Sequence, residues 1–257
     1  DLDRLAGGGI AALAGRARTI VAAMPDQNHE RLNAAVAAHL PIAIEAQEAL
    51  TQAVDVSGPY QADVTQGLLT ISGRPLRVVL LGTVSKASNT WLWSWANEGF
   101  SAQLPSVAPV RKVTQFAESW GIWELGIPQF SIDGVVDTGL GPGASVALLA
   151  APLVGATAFY TADYGTGLAY FGIVDPAVPR PPAHGYTFAR RIMSAVELMP
   201  GHARSQVLTY ASVHDLRVVG GERQLKVHLG QDVLAVDFDE QGRIVSIRGS
   251  LGAAPLQ

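Results

Sequence analysis

Three tryptophans alternate along one predicted strand, in the sequence Asn-Thr-Trp-Leu-Trp-Ser-Trp-Ala-Asn. Side chains on a strand alternate between its two faces, so Trp91, Trp93 and Trp95 are predicted to form one row. Indole rings bind sugars, cations and nucleobases through their faces. Asn97 ends the strand with an amide that can pair with an indole N–H. These four residues are therefore the candidate binding site for a small apolar ligand or a partner protein.

A structural role competes with this binding hypothesis. Apolar residues on a docked sheet usually serve packing, and the row is then predicted to lie under an amphipathic helix over residues 28–54. Asn97 would in that case hold a turn, which is a common role for asparagine at a strand end.

A glycine-rich stretch offers a second kind of chemistry. Residues 139–144 read Gly-Leu-Gly-Pro-Gly-Ala, which fits the G-x-G-x-x-A pattern of dinucleotide-binding loops. Gly139 and Gly141 would let a pyrophosphate approach the start of the following helix, and Asp163 would accept a ribose hydroxyl. The strands after Asp163 are predicted to return as hairpins, however, and a dinucleotide site requires parallel βαβ units. Nucleotide binding is therefore the alternative, and a structural connection before a buried helix is the main interpretation.

The histidines form no recognisable metal or catalytic motif. No His-Glu-x-x-His sequence and no histidine pair four residues apart is present, so no metal site is predicted. His214 and Asp215 are predicted to alternate across a strand and to point to opposite faces. His228 and Asp232 flank a predicted turn and are expected to be able to meet. The pair Arg190-Arg191 is predicted to lie on a solvated helix face.

Composition excludes several classes of protein. The 257-residue chain has a net charge of −4 and no basic run, which argues against nucleic-acid binding and polybasic membrane anchoring. It has no cysteine, so disulfide scaffolds, thiolate catalysis and cysteine-ligated metals are excluded. The apolar stretch 2–24 contains a glycine triplet and two internal arginines, unlike a signal peptide or a membrane span. The protein is expected to be soluble and cytoplasmic, although a removed leader before Asp1 would also fit.

The order of the predicted elements indicates an α+β protein in which antiparallel sheets pack against amphipathic helices. Helices come first, then strands, then helices, then strands, and short connections between strands require antiparallel pairing. Pro41 is expected to kink or break the first amphipathic helix. The main predicted segments are helices at 28–54, 113–121, 144–154 and 184–199, and strands at 60–64, 68–72, 76–84, 89–97, 131–136, 157–161, 168–174, 206–213, 224–228, 233–237 and 244–248.

The tryptophan strand also carries a resemblance to a known family. Together with Leu81-Gly82-Thr83, Gly121-Ile122 and Gly126-Ile127-Pro128, it resembles uncharacterised bacterial proteins that share a Trp-Leu-Trp-x-Trp-Ala-Asn strand. The similarity extends from about His29 to about Leu251. The resemblance implies no activity, because the family has no assigned chemistry.

These observations predict a helical extension over residues 1–25, followed by one α+β domain over 26–257 or by two lobes divided near 176–183. Four prolines in seven residues mark that division. The predicted function is non-catalytic binding of a protein or a small apolar ligand, without a cofactor, and a homo-oligomer is compatible with the apolar composition. An enzyme with an unrecognised site, near His228 and Asp232 or near the glycine-rich loop, is the alternative.

Overall fold

The structure is a computed structural model that describes residues 29–250. The predicted N-terminal helical extension lies outside these residues. Contacts divide the chain into two compact units. The first contains the described residues up to Asn33 together with Ala46–Pro179, and the second contains Ala34–Glu45 and the described residues from Arg180 onward. The number of domains stays a prediction.

The first described helix, α1 (Glu30–Ala53), continues through Pro41. The helix is not interrupted at Pro41, so the predicted break is wrong. Proline removes one backbone donor from a helix, but the neighbouring side chains of Leu40 and Ile42 are both buried. Burial of these apolar residues on either side of Pro41 compensates for the missing hydrogen bond. No helix of the described part of the chain is long and apolar enough to cross a membrane.

The first unit contains a seven-stranded antiparallel sheet. Strands β1 to β5 lie side by side in chain order, and β7 pairs with β3 and with β6. The strands are β1 (Tyr60–Asp63), β2 (Leu68–Ile71), β3 (Arg74–Ser85), β4 (Thr90–Trp93), β5 (Gln129–Ser131), β6 (Ala158–Asp163) and β7 (Gly167–Ile173). All pairings between these strands are antiparallel, so the predicted α+β class is confirmed.

Short helical segments complete the first unit. The helix α2 (Thr114–Trp120) ends at Gly121, which adopts the left-handed conformation expected of a glycine C-cap. The helix α3 (Ala144–Leu153) follows the glycine-rich loop and is buried over most of its length, as its unbroken apolar sequence predicts. Three 3₁₀ segments connect these elements, at Ser94–Ala96, Ala108–Val113 and Trp123–Leu125.

The second unit packs two helices on one face of a four-stranded antiparallel sheet. The helices are α4 (Gly185–Leu198) and α5 (Ala203–Val213), and the strands, in the order β11-β10-β9-β8, are β8 (Arg217–Gly220), β9 (Gln224–Leu229), β10 (Asp232–Phe238) and β11 (Ile244–Ser250). The core between these layers includes Phe188 and Ile192 from α4, Tyr210 from α5, and Val227 and Val236 from the sheet.

The strand predicted over residues 206–213 is wrong, because this segment belongs to α5. Its buried residues Ala203, Val207, Tyr210 and Ala211 are spaced three or four apart, so they share one helix face. The β-branched and aromatic content of the segment favoured a strand, and packing of this stripe in the core outweighs that preference. Strand β8 was not predicted.

The core of the first unit is organised around the indole of Trp91. Trp91 pairs with Val84 across β3 and β4, and Trp93 pairs with Gly82. A Cβ on Gly82 would lie 2.6 Å from Trp91 Cζ2, and a Cβ on Gly143, the residue before α3, would lie 2.5 Å from Val84 Cγ2 and 3.3 Å from Trp91 Cε3. The indole therefore fits because positions 82 and 143 are glycines, which have no Cβ.

The two glycines Gly143 and Gly139 provide a matched test of this packing. Both have positive φ, at +79° and +76°, but a Cβ on Gly139 would meet nothing within 4 Å. Alanine at either position adds a backbone cost of about 1–2 kcal/mol. We expect Gly143→Ala to lose a further 1–3 kcal/mol or so, because the stiff, buried Val84 cannot move aside. Urea denaturation of both variants measures the difference, and equal losses would contradict the packing described here.

Candidate functional site

The predicted row of three tryptophans divides between two kinds of structure. Strand β4 ends at Trp93, and Trp95 lies in the 3₁₀ segment that follows. Trp91 and Trp93 have no exposed surface. Trp95 is partly exposed, and the Arg111 guanidinium lies 6.0 Å from its ring centroid. The alternation assumed from the sequence stops with the strand, so only Trp95 offers any ring surface to solvent.

The element that covers the tryptophans differs from the one predicted. Leu50 of α1 and Val54, the residue that follows this helix, belong to the apolar cluster of Leu69, Ile71 and Phe171, on one face of the sheet. Tyr170, which is adjacent to Phe171 on β7, points to the opposite face and lies 5.1 Å from Trp91 between ring centroids. The Tyr170 hydroxyl donates to the Pro142 carbonyl just before α3. The expectation that helix 28–54 covers the row is therefore wrong, and the start of α3 covers it.

Asn97 holds a turn. Its backbone N–H donates to the Ser94 carbonyl at 3.2 Å, and its Oδ1 accepts from the Gly99 N–H at 2.9 Å. Asparagine side chains commonly stabilise turns in this way. The side-chain nitrogen is buried and has no hydrogen-bond partner.

The glycine-rich loop has positive φ at Gly139 (+76°), Gly141 (+99°) and Gly143. No side chain or backbone atom stands within 4 Å of a Cβ built on Gly139 or Gly141. The strand before the loop is β5, three residues long and antiparallel to β4, rather than the predicted strand 131–136. The loop therefore lacks the parallel βαβ setting of dinucleotide-binding folds.

Asp163 already has partners at the end of β6. Its carboxylate accepts from Lys86 Nζ at 2.7 Å and from the Gly165 N–H at 2.8 Å. The hydrogen bond from Lys86 lowers the pKa of Asp163 below its ordinary value, with a smaller contribution from Gly165. These bonds stabilise the hairpin between β6 and β7. Nucleotide binding through Gly139, Gly141 and Asp163 stays a prediction.

A buried histidine–glutamate pair lies beside the tryptophans in the first unit. His29 Nδ1 and Glu124 Oε1 are 2.7 Å apart, and both side chains are at most 1% exposed. The His29 ring stacks on Trp123 with centroids 5.9 Å apart, and Trp93 Nε1 donates to the Glu124 carbonyl at 2.8 Å. His29 Nε2 and Glu124 Oε2 are buried without partners. No local sequence pattern predicts this pair, because its members are 95 residues apart.

The second unit contains a larger buried polar cluster around Glu45. Arg191 Nη1 donates to Glu45 Oε2 at 2.5 Å and to the Tyr210 hydroxyl oxygen at 2.8 Å. The Tyr210 hydroxyl donates to Glu45 Oε2. His214 Nε2 lies 3.0 Å and 3.1 Å from the two carboxylate oxygens. One carboxylate thus receives donors from two helices, which allows a charge to be buried at acceptable cost.

We call Glu45, Arg191, Tyr210 and His214 the Glu45 cluster. Burial raises the pKa of Tyr210 above its ordinary value, and the hydrogen bond to the Glu45 carboxylate raises it further. Tyr210 therefore stays protonated and donates its proton to Glu45. The ring of His214 lies against Tyr210, with centroids 4.6 Å apart.

Two predictions about these residues are wrong. Arg191 is 5% exposed and points into the unit, whereas the sequence suggested a solvated face. His214 follows the end of α5 instead of lying on a strand. The helical spacing of Phe188 and Ile192 around Arg191 is a signal that could have placed this arginine near the core.

His228 and Asp232, the other candidate pair, do not meet. His228 lies opposite Val233 and Asp232 lies opposite Leu229 in the hairpin of β9 and β10. Residues that differ by one register position point to opposite faces of the sheet, so the two side chains are separated by the sheet itself. Within residues 29–250, no group of three or more histidine, cysteine, aspartate or glutamate side chains is placed to hold a metal.

A surface groove of about 440 Å³ runs between α4 and β11. Its most exposed apolar side chains are Tyr186 (74%), Met193 (47%) and Val245 (62%). Isolated exposed apolar residues are ordinary, but a contiguous group beside a strand indicates an interaction surface. The groove is lined by Tyr186, Ala189, Arg190, Met193, Ile244, Val245, Ser246 and Ile247.

A known protein family matches most of the first unit together with Ala34–Glu45 of the second. The profile of a family of unknown function, DUF6882, matches residues 33–176, more than half of the chain. The chain belongs to this family. No curated protein and no solved structure matches it. The matched residues include the tryptophans, Glu45 and Glu124, whereas α4, α5 and strands β8 to β11 lie outside them.

Substitution of Trp93 measures how much the tryptophans contribute to packing. Because Trp93 is fully buried and its Nε1 bonds to Glu124, we expect Trp93→Ala to cost about 3–5 kcal/mol of unfolding free energy. Trp95→Ala, at a partly exposed ring, is the control and should cost less. Chemical denaturation gives both values. A loss below about 1 kcal/mol for Trp93→Ala would show that this ring contributes little to the core.

The Glu45 cluster predicts a second, independent stability effect. Glu45→Ala leaves Arg191 buried without its carboxylate, and breaking a buried ion pair in this way typically costs about 3–5 kcal/mol. Glu197→Ala removes an exposed carboxylate from α4 and should change stability by no more than about 0.5 kcal/mol. Thermal and urea unfolding of the two variants provide the comparison. A Glu45→Ala protein as stable as the Glu197→Ala protein would contradict the assigned role of the cluster.

Proposed function

We propose that the protein is an interaction protein that binds an extended segment of a partner protein along β11, and that this binding is itself non-catalytic. The observation that carries this proposal is the groove between α4 and β11, where exposed apolar side chains lie beside the edge of a sheet. The groove lies outside the residues matched by the family, so the proposal concerns this chain.

The edge of the sheet supports an extended occupant. Among the described residues, β11 pairs only with β10, and it is the end strand of its sheet. The outer edge of an end strand presents backbone N–H and C=O groups that another strand can pair with. Addition of a strand to such an edge is a recurrent way to bind peptides, in which the backbone gives affinity and alternate side chains give specificity.

The residues of α4 that line the groove favour a partner segment with apolar side chains at alternate positions. Tyr186, Ala189, Arg190 and Met193 are spaced as one stripe along α4, on the side that faces β11. On β10, the residues that point to this same side of the sheet are Leu234 and Val236, both buried. A strand added at β11 would continue this alternation and place its apolar side chains in the groove.

Several finer expectations belong to the same proposal. We infer that the tryptophan strand is a structural signature shared by bacterial relatives, because its indoles pack against glycines instead of facing solvent. Trp95 retains a partly exposed ring and is the tryptophan best suited to contact a ligand. We also infer a cytoplasmic location, and the net charge of −4 without a basic run supports the absence of nucleic-acid partners.

A synthetic peptide that copies Asp232–Phe238 tests the proposal. This segment is the natural partner of β11 on its other edge, so its alternation of side chains already fits that strand. We expect saturable binding by calorimetry, with NMR shift changes concentrated in β11 and α4. A peptide with proline in place of the alanine at its centre should not bind, because proline cannot donate to the ladder.

Variants at the two sheet edges supply the control. Val245→Asp places a charge in the groove and should abolish peptide binding, whereas Val219→Asp alters an exposed valine on β8, the opposite edge, and should not. Binding that survives Val245→Asp, or shift changes confined to β8, would contradict the proposal. Sedimentation velocity distinguishes a partner segment from a second copy of the chain, since self-association lost in Val245→Asp would assign the edge to a homo-oligomer.

A further inference from the structure

In the Glu45 cluster, one ring nitrogen of His214 has no role in the packing of the unit. His214 Nε2 is the ring nitrogen that bonds to the Glu45 carboxylate. A carboxylate accepts, so the neutral ring carries its proton on Nε2 and its lone pair on Nδ1. Nδ1 has no hydrogen-bond partner among the described residues, and it is not one of their fully buried polar atoms. The His214 side chain is 7% exposed, so the lone pair lies close to the surface of the unit.

Arg191 and Tyr210 hold the Glu45 carboxylate and the His214 ring in place. Arg191 and Tyr210 both donate to Glu45 Oε2, which holds the carboxylate in one position. The Tyr210 ring lies 4.6 Å from the His214 ring between centroids, which restricts rotation of the imidazole. The side chain of His214 is 7% exposed, so only a small reactant can approach it.

We propose that His214 is a nucleophilic site for the acyl group of small, uncharged, activated esters. An imidazole that donates to a carboxylate through one nitrogen is a stronger nucleophile at the other. Uncharged substrates are favoured because the carboxylates of Glu45 and of the adjacent, exposed Asp215 would repel an anion. This activity is separate from the proposed binding of a peptide, which uses the groove between α4 and β11.

The proposed reaction consumes only the ester and water. Nδ1 of His214 attacks the carbonyl carbon of the ester and an N–C bond forms. The C–O bond to the leaving group breaks, and the leaving group departs with the electron pair as an alkoxide or phenolate. Nε2 keeps its proton, and Glu45 stabilises the positive charge on the acylated ring. Water then attacks the acyl carbon, and the electron pair of the N–C bond returns to Nδ1, which regenerates the original histidine. The carboxylic acid leaves, and the second proton of the water passes to the released alkoxide or phenolate. His214 is the catalytic residue, and Glu45 is a positioning residue.

Competition between histidines in the unaltered protein gives the first test. The protein is treated with limiting diethyl pyrocarbonate, which acylates imidazoles, and modification of each histidine is followed by peptide mass spectrometry. His184 is exposed and has no carboxylate partner among the described residues, so accessibility alone predicts that it reacts faster than His214. We expect the opposite order. Faster modification of His184 would overturn the proposal, and this test does not depend on the folding of a variant.

Turnover of p-nitrophenyl acetate gives the second test. His214→Asn should lower the rate about 100-fold, in the range typical of a removed catalytic base or nucleophile, and His228→Asn is the matched control that should leave it unchanged. Glu45→Gln should lower the rate by about 10- to 100-fold, as for a lost second-layer carboxylate. It should also change the ¹⁵N chemical shifts of the His214 ring toward a mixture of tautomers, which loss of packing alone would not do. Equal rates for His214→Asn and His228→Asn would overturn the proposal.

Discussion

The position of one indole ring determines how the first unit can be built. Trp91 lies over Gly82 on the sheet and against Gly143 before α3, and a methyl group on either glycine would overlap its neighbours. The antiparallel pairing of β3 with β4 brings Val84 and Trp91 together, and the start of α3 closes over them. Because protein interiors are close-packed, the strand, the loop and the helix are fixed by the same ring. Gly143 is thus explained by the space that Val84 and Trp91 occupy, whereas a Cβ on Gly139 or Gly141 would meet no atom within 4 Å.

Each unit also buries a carboxylate, and the two carboxylates differ in whether both of their oxygens have hydrogen-bond partners. Glu45 receives Arg191, Tyr210 and His214, so its charge and both of its oxygens are satisfied. Glu124 bonds to His29 through one oxygen and leaves the other without a partner. An unsatisfied buried oxygen typically costs about 1–3 kcal/mol, which the stacking of His29 on Trp123 and the bond from Trp93 to the Glu124 backbone offset in part. The Glu45 cluster is therefore the more rigid of the two polar centres.

Local sequence signals predicted most elements, and long-range contacts account for what was missed. Positive-φ glycines at Gly67 and Gly73 separate the first three strands, and these were predicted at nearly their observed bounds. The segment 206–213 was misread because its β-branched residues favour a strand locally, whereas its buried stripe has helical spacing that only a partner surface can select. The Glu45 cluster could not be predicted, because His214 lies 169 positions from Glu45. The exposed groove could not be predicted either. Tyr186 and Met193 are apolar residues that are typical of a core, and their exposure depends on the orientation of α4 in the unit.

The orientation of α4 follows from three sets of residues on its surface. Phe188 and Ile192 point into the core, Arg191 points to Glu45, and Tyr186 and Met193 remain on the outer side beside β11. An apolar core alone allows a helix to rotate or slide by small amounts, because hydrophobic contacts are not directional. The charged hydrogen bond from Arg191 to Glu45 is directional and fixes the rotation. A partner strand at β11 would therefore meet a groove whose helical wall is already in place, and a preorganised surface loses less free energy on binding than one that must be ordered.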